Sequence, residues 1–177
     1  MELDGAECAL VRHRSEESTP MVIIGIDPGV TGAVGVLCDG AFQRLCDLPV
    51  ADKGLNSAEL TALLRSVISD HLDDGLPTVV LERQWAFPKA QGGVCAAFRK
   101  GECYGIVKGV CASLGLPVVL VTPQVWKKWA GLTKDKEKAR AMAQNLYPTA
   151  PLGLKKHHGR AEALLIARWY EKQEGSK

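Results

Sequence analysis

Five short apolar runs punctuate the chain, and the stretches between them carry helical spacing. Met21-Val22-Ile23-Ile24-Gly25-Ile26-Asp27 is β-branched, does not alternate with polar residues and ends on a carboxylate. That pattern predicts a central strand buried on both faces. Asp27-Pro28-Gly29-Val30-Thr31-Gly32 reads as a tight turn, Ala33 to Leu37 as a second strand, and Asp39-Gly40 as a two-residue hairpin turn leading into a third strand, Ala41 to Leu48. The opening is therefore an antiparallel meander. Asn56 or Ser57 caps a helix running to about Leu72, with Leu60, Leu63, Leu64, Val67 and Ile68 on its apolar face, and Gly75 and Pro77 stop it. Thr78 to Glu82 is a fourth strand, again apolar and again ending on a carboxylate.

A Pro/Gly-containing loop follows from Trp85 to Gly93, then a glycine-bearing helix from Ala96 to Leu114 and a fifth strand from Leu116 to Val121. Thr122-Pro123 opens a short helix through Trp129, and Thr133 caps another that reaches about Tyr147 before Pro148. A loop over 149–157 leads to the last helix, Gly159 to Glu171, with Ala161, Leu164, Leu165 and Trp169 at helical spacing. A meander followed by alternating helices and strands predicts an α/β fold, a five-stranded mixed sheet with helices on both faces.

The chain has 177 residues, 46% of them hydrophobic, enough for one compact domain over 21–174 and too much for wholesale disorder. The polar first twenty residues read as a flexible tail; they hold no signal-peptide apolar run, and their acidic residues argue against a transit peptide. No 18-residue apolar stretch predicts a membrane span. A net charge of +2 carries no argument for nucleic acid, so any such argument must rest on where the charges sit. The six cysteines include no CxxC pair, so a zinc ribbon is not expected. Cys95, Cys103 and Cys111, eight apart, are expected to pack as small apolar residues of a reduced, intracellular protein.

Asp27 and Glu82 are both strand-terminal, and burying such groups without partners is costly. If their strands are parallel neighbours, both carboxylates reach one sheet edge, where a cation would neutralise them. Hard oxygen ligands favour Mg²⁺ or Mn²⁺. His158 and Glu162, four apart, share a face of the last helix, and Glu162 interrupts an apolar stretch. Two metals held by such a set would stabilise both the attacking water and the leaving oxygen of a phosphodiester, with His158 positioning or deprotonating that water or ligating a metal. Each residue also has a plain reading. Asp27 can cap its turn, Glu82 can pair with Arg83, Glu162 can be solvated, and His158 can simply begin a helix.

Taken together, several segments resemble the RuvC-type Holliday-junction resolvases. They are Ile24-Gly25-Ile26-Asp27-Pro28-Gly29-Val30-Thr31-Gly32, Val80-Leu81-Glu82-Arg83-Gln84, Lys100-Gly101-Glu102-Cys103-Tyr104-Gly105, Val121 to Lys127, and Lys156-His157-His158-Gly159-Arg160-Ala161-Glu162 onward to Ala167. The form is nearest to the chloroplast resolvase branch and its bacterial and phage relatives, over about residues 22–170. The resemblance implies a ribonuclease H-like fold, a homodimer, and Mg²⁺-dependent paired nicks across a four-way DNA junction. It implies Asp27, Glu82 and Glu162 as metal-binding carboxylates, with His158 near a fourth position. Many relatives carry an acidic residue there; here His157-His158 occupies it, and His157 is a rival for the role. The resemblance places the chain in the cytoplasm or nucleoid of a bacterium or phage-infected cell.

Basic residues cluster at Arg99-Lys100, Lys127-Lys128, Lys134 to Arg140, and Lys155-Lys156 with Arg160. Arg99, Lys100, Lys127, Lys128, Lys155, Lys156 and Arg160 are the phosphate-contact candidates, whereas Lys134 to Arg140 alternates with acids as a solvated helix face does. Trp85, Phe87 and Phe98 are candidates for stacking in the junction core or for core packing. Gly101, Gly105 and Gly109 form a stripe that permits close approach of another backbone, which the resemblance makes the dimer helix and which packing on its own sheet would equally explain. An actin-like or hexokinase-like ATPase shares the opening hairpin pattern but needs two domains. Another ribonuclease H-like nuclease acting on flap, branched or hybrid substrates, and a non-catalytic junction-binding protein, are the remaining alternatives.

Overall fold

The computed structural model describes residues 19–52, 54–85, 93–133 and 135–175. Phe87, Lys134 and most of the N-terminal segment expected to be a tail lie outside them. The meander forms from β1 (Val22–Asp27), β2 (Ala33–Cys38) and β3 (Ala41–Asp47), each antiparallel to the next. Its second turn is of the mirror-image kind that two-residue hairpins use, with Asp39 at φ 46° and Gly40 at φ 74°. A small hairpin follows, β4 (Val50–Ala51) and β5 (Gly54–Leu55). Strands of two residues are too short to show a period, and the sequence pattern did not predict them.

Helix α1 (Ser57–Asp70) is capped by Asn56, whose side chain accepts from the amides of Ala58 and Glu59. It ends two residues before the expected Leu72, which instead belongs to a 3-10 turn, Leu72–Asp74. Then come β6 (Thr78–Glu82), α2 (Gly93–Ser113), β7 (Val118–Val121), α3 (Pro123–Trp129), α4 (Lys136–Leu146) and α5 (His158–Glu174). Helix α4 is capped by Asp135 rather than Thr133, because the carboxylate reaches the amides of Glu137 and Lys138 while the Thr133 hydroxyl accepts only from the amide of Asp135.

The strand order is β3-β2-β1-β6-β7, with β1, β6 and β7 parallel, so the expected mixed five-stranded sheet is present. Alternation along each strand divides the core in two. Ile24, Ile26, Val34, Val36, Val79 and Leu81 face α1 and α2, joined by Cys103 and Cys111. Ile23, Leu37, Val80 and Val121 face α3, α4 and α5. Cys95 departs from the expected packing and is exposed near the start of α2. No helix among the described residues is long and apolar enough to cross a membrane.

The seat of α5 depends on a pair of glycines. Gly25 and Gly35 are partners across β1 and β2. A Cβ on Gly25 would collide with the carbonyl oxygen of Ala163 and lie 2.8 Å from the amide nitrogen of Ala167. One on Gly35 would lie 2.9 Å from the Leu164 side chain. With no side chains between them, helix backbone lies directly on sheet backbone. Gly25→Ala is expected to destabilise the protein by about 3 kcal/mol or more, since the obstruction is backbone and cannot rotate away; chemical denaturation measures it, and a loss below about 1 kcal/mol would contradict this packing.

Candidate active site

Side-chain alternation sets which face each carboxylate occupies. Residues 23, 25 and 27 point to one face of β1, and 80 and 82 to the same face of β6, because successive side chains alternate. The parallel register pairs Ile26 with Leu81, so Asp27 and Glu82 stand level one step further on. Helix α5 covers that face, and its first turn rests on the β1–β2 turn: a Cβ on Gly159 would collide with the carbonyl oxygen of Thr31 and lie 3.2 Å from Asp27 Oδ2. Asp27, Glu82 and Glu162 thus share one end of the sheet, with His158 one residue before Gly159 in the same helical turn.

The electrostatics are those of crowded like charges. The Asp27 carboxyl is held well above the usual carboxylate range, first by burial and then by the charges of Glu162 and Glu82. Glu82 is also raised by burial, partly offset by the indole Nε1 of Trp126, which donates to Glu82 Oε2 at 2.8 Å. The Gln84 amide donates to its other oxygen at 3.2 Å. Lys127 donates from Nζ to Glu162 Oε1 at 2.8 Å, and its charge also favours ionisation of Asp27 and Glu82. One ammonium therefore serves all three carboxylates. Their oxygens do not all lie within 4.8 Å of one another: among the described residues only Cys38, His71 and Asp74 make a three-donor group that close.

The two histidines separate. His158 Nδ1 is buried without a hydrogen-bond partner among the described residues, and its Nε2 lies 3.7 Å from Glu137 Oε1. His157 is buried beside Asp47, Thr31 and Gly32, with Nδ1 3.4 Å from the amide of Leu154. Burial, then the charge of Arg160, lowers its pKa. It packs the loop that enters α5, whereas His158 shares the helix face of Glu162.

Two of the basic residues expected to meet phosphate are engaged within the protein. Lys127 holds Glu162, and Arg160 forms a two-pronged pair with Asp47 at 2.6 and 2.8 Å, tying α5 to the end of β3. Lys128, Lys155, Lys156, Arg99 and Lys100 are exposed, the last two beside Gly29 and Val30 of the first turn. Trp85 and Phe98 are 48% and 71% exposed, so neither packs the core, and Arg83 stacks its guanidinium 4.2 Å from the Trp85 ring. Cβ atoms on Gly101, Gly105 or Gly109 would meet nothing within 4 Å, so the stripe does not serve packing on the chain's own sheet. Trp126, the partner of Glu82, is not marked as such by the sequence pattern. Its signal was faint: an apolar residue one turn into the helix that follows the strand parallel to β6.

No protein-family model and no curated protein matches the sequence. The fold is shared with solved structures. Thermus thermophilus RuvC is 20% identical at a TM-score of 0.62, covering 87% of this chain and 97% of that one. The T. thermophilus RuvC in complex with a Holliday junction substrate is also 20% identical, at a TM-score of 0.60, covering 87% and 96%. The ribonuclease H-like fold expected from the motifs is therefore the fold found.

Because the folded-state pKa of Asp27 is raised above its ordinary 3.8, its ionised form costs stability. That cost is absent below the ordinary value and fully present above the raised one. Asp27→Asn is expected to raise the thermal midpoint of the metal-free protein at pH 7, with the gain vanishing below about pH 4. Thermal scans in EDTA across that range check it, and an equal or lower midpoint at pH 7 would refute it.

Proposed function

We propose that the chain is a structure-specific endonuclease that resolves four-way DNA junctions by metal-dependent phosphodiester hydrolysis. The observation that carries this reading is the set of Asp27, Glu82 and Glu162 at one sheet end, where burial and then mutual repulsion raise Asp27 and Lys127 pairs directly only with Glu162. A cluster of that charge calls for a cation. Its all-oxygen carboxylate donors suit Mg²⁺, with Mn²⁺ as a substitute. Asp27, Glu82 and Glu162 would hold the metal, with His158 at the margin of the set. Bound there, divalent metal supplies charge for the pentavalent transition state and lowers the pKa of a coordinated water.

The chain's own residues do the positioning. Trp126 and Gln84 fix the two oxygens of Glu82. Lys127 holds Glu162 with its ammonium at 2.8 Å, and beside the carboxylates it would also be placed to meet a phosphate oxygen of the substrate. His158 accepts a proton from the water whose oxygen forms the new bond to phosphorus, the bond to the 3′ oxygen breaks, and that oxygen takes a proton from solvent, leaving 5′-phosphate and 3′-hydroxyl ends that can be ligated. Arg99, Lys100, Lys128, Lys155 and Lys156 contact phosphates around the site, while Trp85 and Phe98 stack on bases at the junction core. The RuvC complex noted above holds a Holliday junction substrate, which favours a junction over other branched DNA. The open glycine stripe of α2 would form a homodimer and so supply two sites for two symmetric cuts.

Labelled four-way junction, duplex, flap and RNA–DNA hybrid, each with Mg²⁺, Mn²⁺ or EDTA, test the activity. Symmetric ligatable nicks in the junction alone, dependent on metal, are expected. Asp27→Asn is expected to retain junction binding and lose cleavage by about 10³-fold or more, as loss of charge complementary to the metal implies. Cutting of another substrate would reassign the nuclease, and binding without cutting would make it a junction-binding protein. Sedimentation tests the dimer separately: a Cβ at Gly105 meets nothing within 4 Å among the described residues, so Gly105→Leu is expected to give a folded monomer, whereas an unchanged dimer would place the interface elsewhere.

A further inference from the structure

A second donor cluster sits at the opposite end of the sheet. Cys38 ends β2 and pairs with Val22 at the start of β1, five residues from Asp27, or about 17 Å at the rise of a strand. His71 follows the last residue of α1, and Asp74 ends the 3-10 turn after it. The Sγ of Cys38, a ring nitrogen of His71 and a carboxylate oxygen of Asp74 all lie within 4.8 Å of one another. The His71 and Asp74 side chains are only 11% and 29% exposed, and Nδ1 of His71 lies 2.8 Å from Asp74 Oδ2. Burial pushes the Cys38 thiol up, with the charges of Asp74 and Asp39 adding to it, so the sulfur faces carboxylates rather than a cation. Arg44, which lines the groove beside His71, is held by Asp70 at 3.5 Å and Ser66 at 2.8 Å.

We propose that Cys38, His71 and Asp74 bind a Zn²⁺ ion that fastens the α1–β6 connection to the β2–β3 hairpin. Thiolate, imidazole and carboxylate are the three zinc donor types, and their combination selects zinc over the hard cations suited to the carboxylate site. Bond lengths of about 2.0–2.3 Å place tetrahedral donors roughly 3.3–3.8 Å apart. The three atoms are thus within small side-chain rotations of closing on a metal. Deprotonated Cys38 and Asp74 with neutral His71 balance the two charges of the ion. Binding releases the thiol proton to solvent, and water fills the fourth position at this half-exposed edge. The donors are 33 and 3 residues apart, so the set follows no CxxC spacing, and only the fold assembles it.

Cobalt substitution of the full-length protein, stripped with EDTA and dialysed, tests the proposal without reference to nuclease activity. One equivalent of Co²⁺ is expected to give a thiolate-to-cobalt charge-transfer band with the visible bands of a tetrahedral ion, and Zn²⁺ is expected to abolish it. Cobalt on the all-oxygen carboxylate site gives no thiolate band. Cys95→Ser, which alters an exposed cysteine outside the cluster, is expected to keep the band. Cys38→Ser and, independently, His71→Gln are expected to lose it and to weaken zinc against a chromophoric chelator by about 100-fold or more. Zinc is expected to raise the thermal midpoint of the unaltered protein and not of these variants. No thiolate band in the unaltered protein, or a band that survives either substitution, would overturn the proposal; if one variant fails to fold, the other decides.

Discussion

Everything at the acidic end of the molecule depends on helix backbone lying directly on sheet backbone. Gly25 and Gly35 face each other across β1 and β2, and Gly159, in the first turn of α5, lies against the β1–β2 turn. Any side chain at these positions would lift the helix. A helix packed on a sheet is ordinarily held off by the side chains that fill the gap between them. Removing the side chains draws α5 inward and brings His158 and Glu162 to the level where β1 and β6 end. The same contact explains the near-complete burial of Ala161 and of Ala163 through Ala167, with Glu162 the polar exception in their midst.

That approach creates an electrostatic problem and restricts its solutions. Three carboxylates gather at one edge, and Asp27, first because it is buried and then because Glu162 and Glu82 repel its charge, holds its proton well above the usual range. Trp126 offsets part of the cost at Glu82 with a hydrogen bond, and Lys127, the next residue, offsets part of it at Glu162 with a charge. Both come from α3, whose start is fixed by β7, the parallel neighbour of β6. The strand order therefore places the acids and also brings the donors that make them tolerable. Arg160 and Asp47 serve a different purpose, locking the entry of α5 to the end of β3.

The two ends of the sheet differ in the softness of what they present. At one end, oxygen donors and a lysine occupy the edge where parallel strands finish. At the other, a half-buried thiol, an imidazole and a carboxylate gather where an antiparallel hairpin meets the end of a helix. Metal preference follows donor type, so the hard cation and the zinc proposed above would each have their own end of the sheet. The exposed glycine face of α2 lies outside both ends and contributes to neither core contact.

The sequence by itself determined the strands, the meander, the hairpin turn at Asp39-Gly40, most helix boundaries to within a few residues, and the carboxylates at two strand ends. These are local properties: an apolar period, a turn former or a cap is written within a few residues of where it acts. It did not reveal the β4–β5 hairpin, too short to show a period, or the cap at Asp135, which competes with a nearby threonine. Nor did it separate His157 from His158, adjacent residues that one helical step sends to different surroundings. Only the tertiary structure decided that Lys127 faces Glu162 and Arg160 faces Asp47, that Trp126 reaches Glu82, and that Cys38 meets His71 and Asp74. Each joins residues distant in the chain, from 33 to 113 positions apart, and such pairings exist only once sheet order and helix seating have been chosen.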